Sequence, residues 1–515
     1  MVRSVATVGG LNMASRVLGL ARDVMIARVL GTGPVADAFF VALRFPNLFR
    51  NLFAEGAFNA AFVPMFAGRL ETRGPDAARA FAEQVLAVLL TVLLVLTVAA
   101  QAAMPGIMRV MTPGFTEPDK FALAVLFTRI TFPYLLLMSL SALYGGILNS
   151  LHRYGHAAAA PIAFNIVQIL GLVAVVPFIG MPGHVLSWAV TVSGVWQLLW
   201  LAYGSWRAGM TLRLRVPRLT GAVKRLVRLM LPGILGGGAM QINALVGTVI
   251  ASLQPGAVSY LQYADRIYQF PLAIIGTAAG VVLLPLLTRA LRAGREELAM
   301  ETLNRGLELT MLLTLPATAA LVVIARPIVT VLYERGAFSV AAGDATALAV
   351  LAYAVGLPAY VLVKCLTPCF FAREDTDTPF RYAVVAMAAN VALSVGLFYA
   401  IGFAGIALAT ALASWLNVAL LAGTLRARGQ LAIDAQRRRR LPRMLAAAAA
   451  MAVALWFAAG ALAPLFAGPL LHQVAALAAL VAGGLAVYAG LALVIGAVSP
   501  EEIRHGLRRR SGEGA

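Results

Sequence analysis

Long apolar runs recur along the whole chain, each close to the ~20 residues that a helix needs to cross about 30 Å of hydrocarbon. A backbone in lipid must satisfy its own N–H and C=O groups, so runs of this kind fold as helices. Only 12% of the 515 residues are charged and 61% are hydrophobic, with a mean hydropathy of +0.85. Soluble chains carry about 25% charge. An all-α integral membrane protein is therefore expected. Glycine, proline and charge punctuation divides it into 14 candidate transmembrane helices, near 5–30, 36–67, 81–104, 121–149, 157–180, 184–206, 222–250, 258–286, 304–326, 344–372, 380–400, 403–425, 441–463 and 472–497. The first run is too long and too charged for a removable signal peptide and is expected to stay as span 1.

An even number of spans puts both termini on one side. The termini, the alternate loops and the span ends beside them then hold 29 of the 41 Lys and Arg, against four (Arg109, Lys120, Arg326, Arg335) in the opposite loops. That asymmetry marks the richer side as cytoplasmic. It also accounts for the net charge of +19 without a nucleic-acid partner, because "LRLRVPR" (212–218) and "RRRRLPR" (437–443) read as anchors facing anionic membrane lipids.

The chain contains an internal repeat. "AFVPMFAGRL" (61–70) parallels "VLLPLLTRAL" (282–291), and "FPYLLLMSLSALYGGILNSLHRYGHAAAAP" (132–161) parallels "LPAYVLVKCLTPCFFAREDTDTP" (357–379). The proline pairs Pro64/Pro285, Pro133/Pro358 and Pro161/Pro379 are separated by nearly equal lengths of chain. Their spacing is that of a duplication with a long, single period, and spans 1–6 thus map onto spans 7–12. Because six is even, the repeat is parallel, an arrangement found in secondary transporters. The expected plan is two pseudo-symmetric six-helix lobes, 1–210 and 211–430, plus two C-terminal helices and a basic tail in 431–515.

Within these spans lie charges that lipid should reject, since Arg near the bilayer centre costs about 2.5–3.5 kcal/mol on insertion scales. Span 1 carries Arg16, Arg22, Asp23 and Arg28, with Arg16 and Asp23 on one helical face. Arg28 lies near the span's end, where it either snorkels or faces the interior. In span 2, Asp37, Arg44 and Glu55 fall close to one face with Arg50 beside them, and Pro46 interrupts the helix. Span 8 sets Arg266 and Gln269 on one face with Asp265 adjacent. The aspartates either fix helix packing or serve the site. Six arginines against four acids in these three spans leave a surplus of positive charge. It calls for water or a mobile anion, and the guanidinium fork suits phosphate and carboxylate. A central cationic cavity that carries an anionic substrate is the reading these residues support.

Catalysis is not indicated. There is no Walker A sequence, no metal-ligand cluster and no nucleophile–base pair, so neither an enzyme nor a cofactor is expected. Cys365 and Cys369, one turn apart in an apolar run, read as core fillers. His152 and His156, placed in a loop, have no third ligand nearby.

The block "SRVLGLARDVMIARVLGTGPVADAFFVALRFPNLFRNLFAEGAFNAAFVPMF" (15–66) strongly resembles the N-terminus of the MurJ/MviN family. "YADRIYQFPLAIIGTAAGVVLLP" (263–285), "YERGAFS" (333–339) and "DTDTP" (375–379) match the same family in order. The resemblance covers essentially the whole chain and implies membership of the multidrug/oligosaccharidyl-lipid/polysaccharide exporter superfamily. It further implies a flippase of the bacterial inner membrane that moves lipid II, the undecaprenyl-pyrophosphate-linked peptidoglycan precursor, with cell-wall synthesis proteins as partners. Arg16, Arg22, Asp37, Arg50 and Arg266 become cavity residues by the same resemblance, and spans 13 and 14 a groove for the lipid tail. Similar proteins often have lysine at the position of Arg44, and some have glutamate at that of Gln269. Where some members place sodium-binding aspartates, this chain has Gly247 and Ser394, so sodium coupling is not expected. The alternatives are a flippase for another polyprenyl-linked oligosaccharide, a multidrug antiporter, which should show an acidic cavity, and a non-transporting scaffold of wall synthesis.

Overall fold

A computed structural model describes residues 2–49, 57–432 and 435–497, without the side chains at 2–8, 46, 49, 57, 234–240, 242, 277–279, 281 and 435–438. All regular structure among the described residues is helical. Ten of the described helical stretches are long and apolar enough to cross a membrane. Their outward faces are apolar, as at Val95, Val98, Trp456, Leu471 and Leu485, which is what a lipid solvent requires.

The chain forms two compact units, Met1–Ser259 with Arg335–Ser339, and Tyr260–Glu334 with Val340–Ala515. In the first, α1 (Val2–Leu30) packs on α6 (Tyr154–Leu170), and α2 (Pro34–Phe49) on α4 (Pro118–Thr131). The helix α3 (Ala57–Met111) packs on both α5 (Tyr134–Ser150) and α9 (Gly221–Ser252). A π-helical turn at Gly171–Val175 joins α6 to the short α7 (Val176–Ile179), and α8 (Pro182–Arg207) covers α5 and α6. Too long for one crossing, α3 is broken at Gly74, whose φ of 80° and ψ of 176° leave the helical region. Its first segment carries the end of the expected second span, and its second carries the third. A stack of Phe58, Phe62, Phe66 and Phe81, with neighbouring centroids 5.2–5.7 Å apart, anchors this core.

The second unit holds nearly all of α10 (Ala257–Arg292), then α11 (Glu296–Val323), α12 (Ala325–Leu332), α13 (Val340–Ala354), α14 (Leu357–Phe371), α15 (Asp377–Ile401) and α16 (Phe403–Ala427). The additional helices α17 (Ala435–Ala461) and α19 (Leu470–Val494), with the single turn α18 (Ala463–Phe466) between them, pack on α11 and on each other.

The repeat is written into the backbone. Left-handed glycines end or break helices at Gly74 and Gly294, Gly180 and Gly402, and Gly209 and Gly429, each pair one repeat period apart. Two non-glycine residues also adopt positive φ, His152 (58°) and Glu374 (63°), and the same period separates them. Each closes the same C-terminal turn, in which Arg153 N–H donates to the Leu148 carbonyl (2.8 Å) and Asp375 N–H to the Phe370 carbonyl (3.0 Å). Core positions repeat too: Phe62 with Leu283, Phe66 with Leu287, and Ala78 with Ala299. Cys365 and Cys369 stand where the first unit has Leu143 and Ile147, so both are buried packing residues.

One placement differs from expectation. His156 lies in the first turn of α6, where its ring packs 5.4 Å from that of Trp200. His152 instead meets the Tyr154 hydroxyl at 2.9 Å. The two imidazoles are engaged with different partners because the helix begins between them.

Candidate functional site

Helix α1 runs unbroken through its charges. Arg22 is half-buried, and its Nε and Nη2 donate to one oxygen of Asp23 at 3.0 and 2.7 Å. Its Nη1 donates to Asn165 Oδ1 on α6 at 3.0 Å, and its guanidinium lies 5.3 Å from the Phe164 ring centre. Asn165 is itself oriented, because its Nδ2 donates to the Ser15 carbonyl at 3.0 Å. A guanidinium has five N–H donors in a rigid fork. Three are engaged among the described residues, and the other two have no partner there. Arg16 and Arg28 are exposed.

Asp37 is fully buried. Lys120 Nζ (2.7 Å) and Gly256 N–H (2.9 Å) donate to Oδ2, while Ser259 N–H (3.0 Å) and Oγ (2.6 Å) donate to Oδ1. All four lone-pair positions of the carboxylate are used. Asp37 thereby caps the first turn of α10 from a distant helix, placing negative charge at a helix N-terminus. Lys120, counted above as a loop residue, lies in the first turn of α4 and is buried. On the same side of the unit, Ala337 N–H donates to the Arg28 carbonyl at 2.8 Å. A Cβ at Gly336 would stand 2.4 Å from that carbonyl oxygen, and one at Gly31 2.3 Å from the Ala337 oxygen. Both glycines also have positive φ, which explains the glycine of "YERGAFS".

Arg44 is half-buried, and its Nε is buried without a hydrogen-bond partner among the described residues. Arg50 and Glu55 lie outside the described residues. On α10, Gln269 donates to Asp265 one turn away, and Arg266 is half-buried beside them. The neighbouring Tyr268 stacks on Tyr353 (4.6 Å) and lies at a tilt to Tyr360 (5.5 Å). Among the described residues no three His, Cys, Asp or Glu side chains are placed to hold a metal ion.

Sequence reasoning missed three residues. Asn165 sits in an apolar helix, where an amide is costly, and that cost was the available signal. Glu83 and Asn304, one repeat period apart and both buried, tether the chain that follows α8 and α16. Glu83 accepts from Arg213 N–H at 3.0 Å, and Asn304 donates to the Ala432 carbonyl at 2.7 Å. The "DTDTP" motif is a clamp: Asp375 accepts from Thr378 N–H (3.0 Å) and from Arg428 at 2.7 Å. The Arg428 guanidinium, reinforced by the Thr378 N–H, holds the Asp375 carboxyl down at about 2.

A helical protein with ten stretches long and apolar enough to cross a membrane, duplicated helix ends and half-buried guanidinium groups on α1, α2 and α10 has the features of a polytopic transporter. Its fold agrees. A structure described as "Lipid II flippase MurJ, inward closed conformation" matches with a TM-score of 0.77 at 22% identity, over 95% of this chain and 98% of that one. An inward-facing multidrug resistance MATE family transporter of the MOP superfamily matches with a TM-score of 0.68 at 16% identity, over 82% and 98%. The family model "Lipid II flippase MurJ" matches residues 26–474. The "Probable lipid II flippase MurJ" of Rhizobium meliloti (strain 1021) is 47% identical over 99% of this chain and 96% of its own length. The "Lipid II flippase MurJ" of Burkholderia cenocepacia is 37% identical over 83% and 84%. The chain belongs to the lipid II flippase MurJ family, whose members are multi-pass bacterial membrane transporters rather than enzymes.

Proposed function

We propose that this protein flips lipid II from the cytoplasmic to the periplasmic leaflet of the inner membrane by alternating access, with both termini cytoplasmic. Fourteen spans form two six-helix lobes, and the last two spans receive the lipid tail. The observation that carries the reading is Arg22, a half-buried guanidinium on α1 fixed by Asp23 and Asn165 with donors to spare. A pyrophosphate meets such a fork without the cost of ordering it. Arg44, Arg50 and Arg266 add charge for the same group, and Arg16 draws it in from the basic side. Asp265 with Gln269, and Glu55, balance that charge. The Asp37–Lys120 tie lies on the opposite, poorly basic side, and its release is the step that opens the outward route. The membrane potential acts on the charges that move, at about 2.3 kcal/mol per charge per 100 mV.

The test is lipid II exposure on the outer face of cells depleted of the protein, read by a lipid II-cleaving enzyme supplied from outside. Exposure is expected to disappear, to return with wild type and to stay absent with Arg22→Ala. Unchanged exposure in cells without a second flippase would reject lipid II as the substrate and bring forward another polyprenyl-linked oligosaccharide.

A further inference from the structure

A cleft of about 580 Å³ opens in the first unit where α1, α3, α5 and α6 meet, at the end marked by the basic loop residue Arg153. Its volume is that of a small-molecule site. Asn12, Asn59 and Asn149 line it together with Tyr154, Val63 and Pro64. No carboxylate, ammonium or guanidinium lines it among the described residues. Asn12 and Asn149 make no side-chain hydrogen bond among the described residues, so each keeps an amide donor and acceptor open. Tyr154 is held in place by His152, 2.9 Å from its hydroxyl.

Carboxamides of this kind are out of place against lipid, and among the described residues no charged side chain lines the cleft to attract an ion. The lining suits a neutral ligand rich in hydroxyl and amide groups that also offers an apolar face. N-acetylated sugars fit that description. We infer that this cleft is the subsite for the neutral amino-sugar part of the transported head group, separate from the guanidinium that takes its pyrophosphate. The inference rests on the function proposed above. Both sites share α1: Asn12 and Arg22 are separated by about 15 Å of helix, within the reach of a head made of two sugars and a peptide.

The experiment uses the full-length protein in nanodiscs and two probes, lipid II and undecaprenyl pyrophosphate, which lacks the sugars. Wild type is expected to bind lipid II more tightly. The double variant Asn12→Leu/Asn149→Leu should weaken lipid II binding about tenfold, the loss of one or two net hydrogen bonds, and leave undecaprenyl pyrophosphate within about twofold. Ala60→Trp, which fills the cleft from an exposed position, should do the same, whereas Arg22→Ala should weaken both probes. If wild type prefers lipid II and both cleft variants match it, the cleft is not the subsite, although the flippase reading stands. Equal wild-type affinity for the two lipids also overturns the subsite. Binding of neither lipid overturns the flippase reading and the subsite with it.

Discussion

Asp37 and Lys120 form an ion pair of 2.7 Å in which the carboxylate is fully buried and the ammonium almost so, with side-chain exposures of 0% and 7%. The carboxylate also holds the first turn of α10 through Gly256 and Ser259. Replacing Asp37 by Asn leaves a buried ammonium without its counter-charge, and such losses run to about 3–5 kcal/mol. Asp37→Asn should therefore lower thermal stability in detergent, and Asp37→Asn/Lys120→Met should recover much of it. If the double variant is no more stable than the single one, the pair is not the source of the effect.

Arg22 and Asn165 make a graded prediction. Arg22→Lys keeps the charge but removes the fork, so lipid II exposure should fall almost as far as with Arg22→Ala. Asn165→Leu leaves Arg22 charged but loosely held, and flipping should slow about tenfold, the equivalent of about one hydrogen bond. Wild-type flipping by Arg22→Lys would reduce the site to a point charge.

The Asp375–Arg428 clamp predicts a pH dependence. The folded carboxyl titrates near 2, below its ordinary 3.8. Its contribution is fully present above the unfolded value and is lost as pH falls from about 4 through 2. Because the two side chains are 22% and 40% exposed, screening keeps the effect below about 1 kcal/mol. Thermal melts of wild type and Arg428→Gln should converge across that window. Curves that stay parallel down to pH 2 would contradict the assignment.

Cys365 and Cys369 should be unreactive toward a membrane-permeant maleimide in the folded protein and react after denaturation, since both are buried at core positions. Cys365→Ala/Cys369→Ala should retain flipping with a loss of about 1 kcal/mol per residue. Labelling of the native protein would place these thiols on an accessible path.

The apolar runs, their helical state and the duplication were legible in the chain itself. A membrane solvent leaves few backbone choices, and a repeat keeps its helix-ending residues at nearly constant spacing, so Pro64/Pro285 and Pro161/Pro379 anticipated the paired turns at His152 and Glu374. The surplus of arginine was equally plain, because a charge in an apolar run stands out without any neighbour. What sequence could not assign were the partners. Helical spacing set Asp23 beside Arg16, yet the folded chain pairs it with Arg22. Lys120 looked like a loop cation until α4 carried it to Asp37, and Asn165 was marked only by the cost of an amide in an apolar helix, which names no partner. Periodicity along one helix says which face a residue shares; which side chain meets it from another helix depends on how helices far apart in the chain pack, and only the tertiary structure decides that.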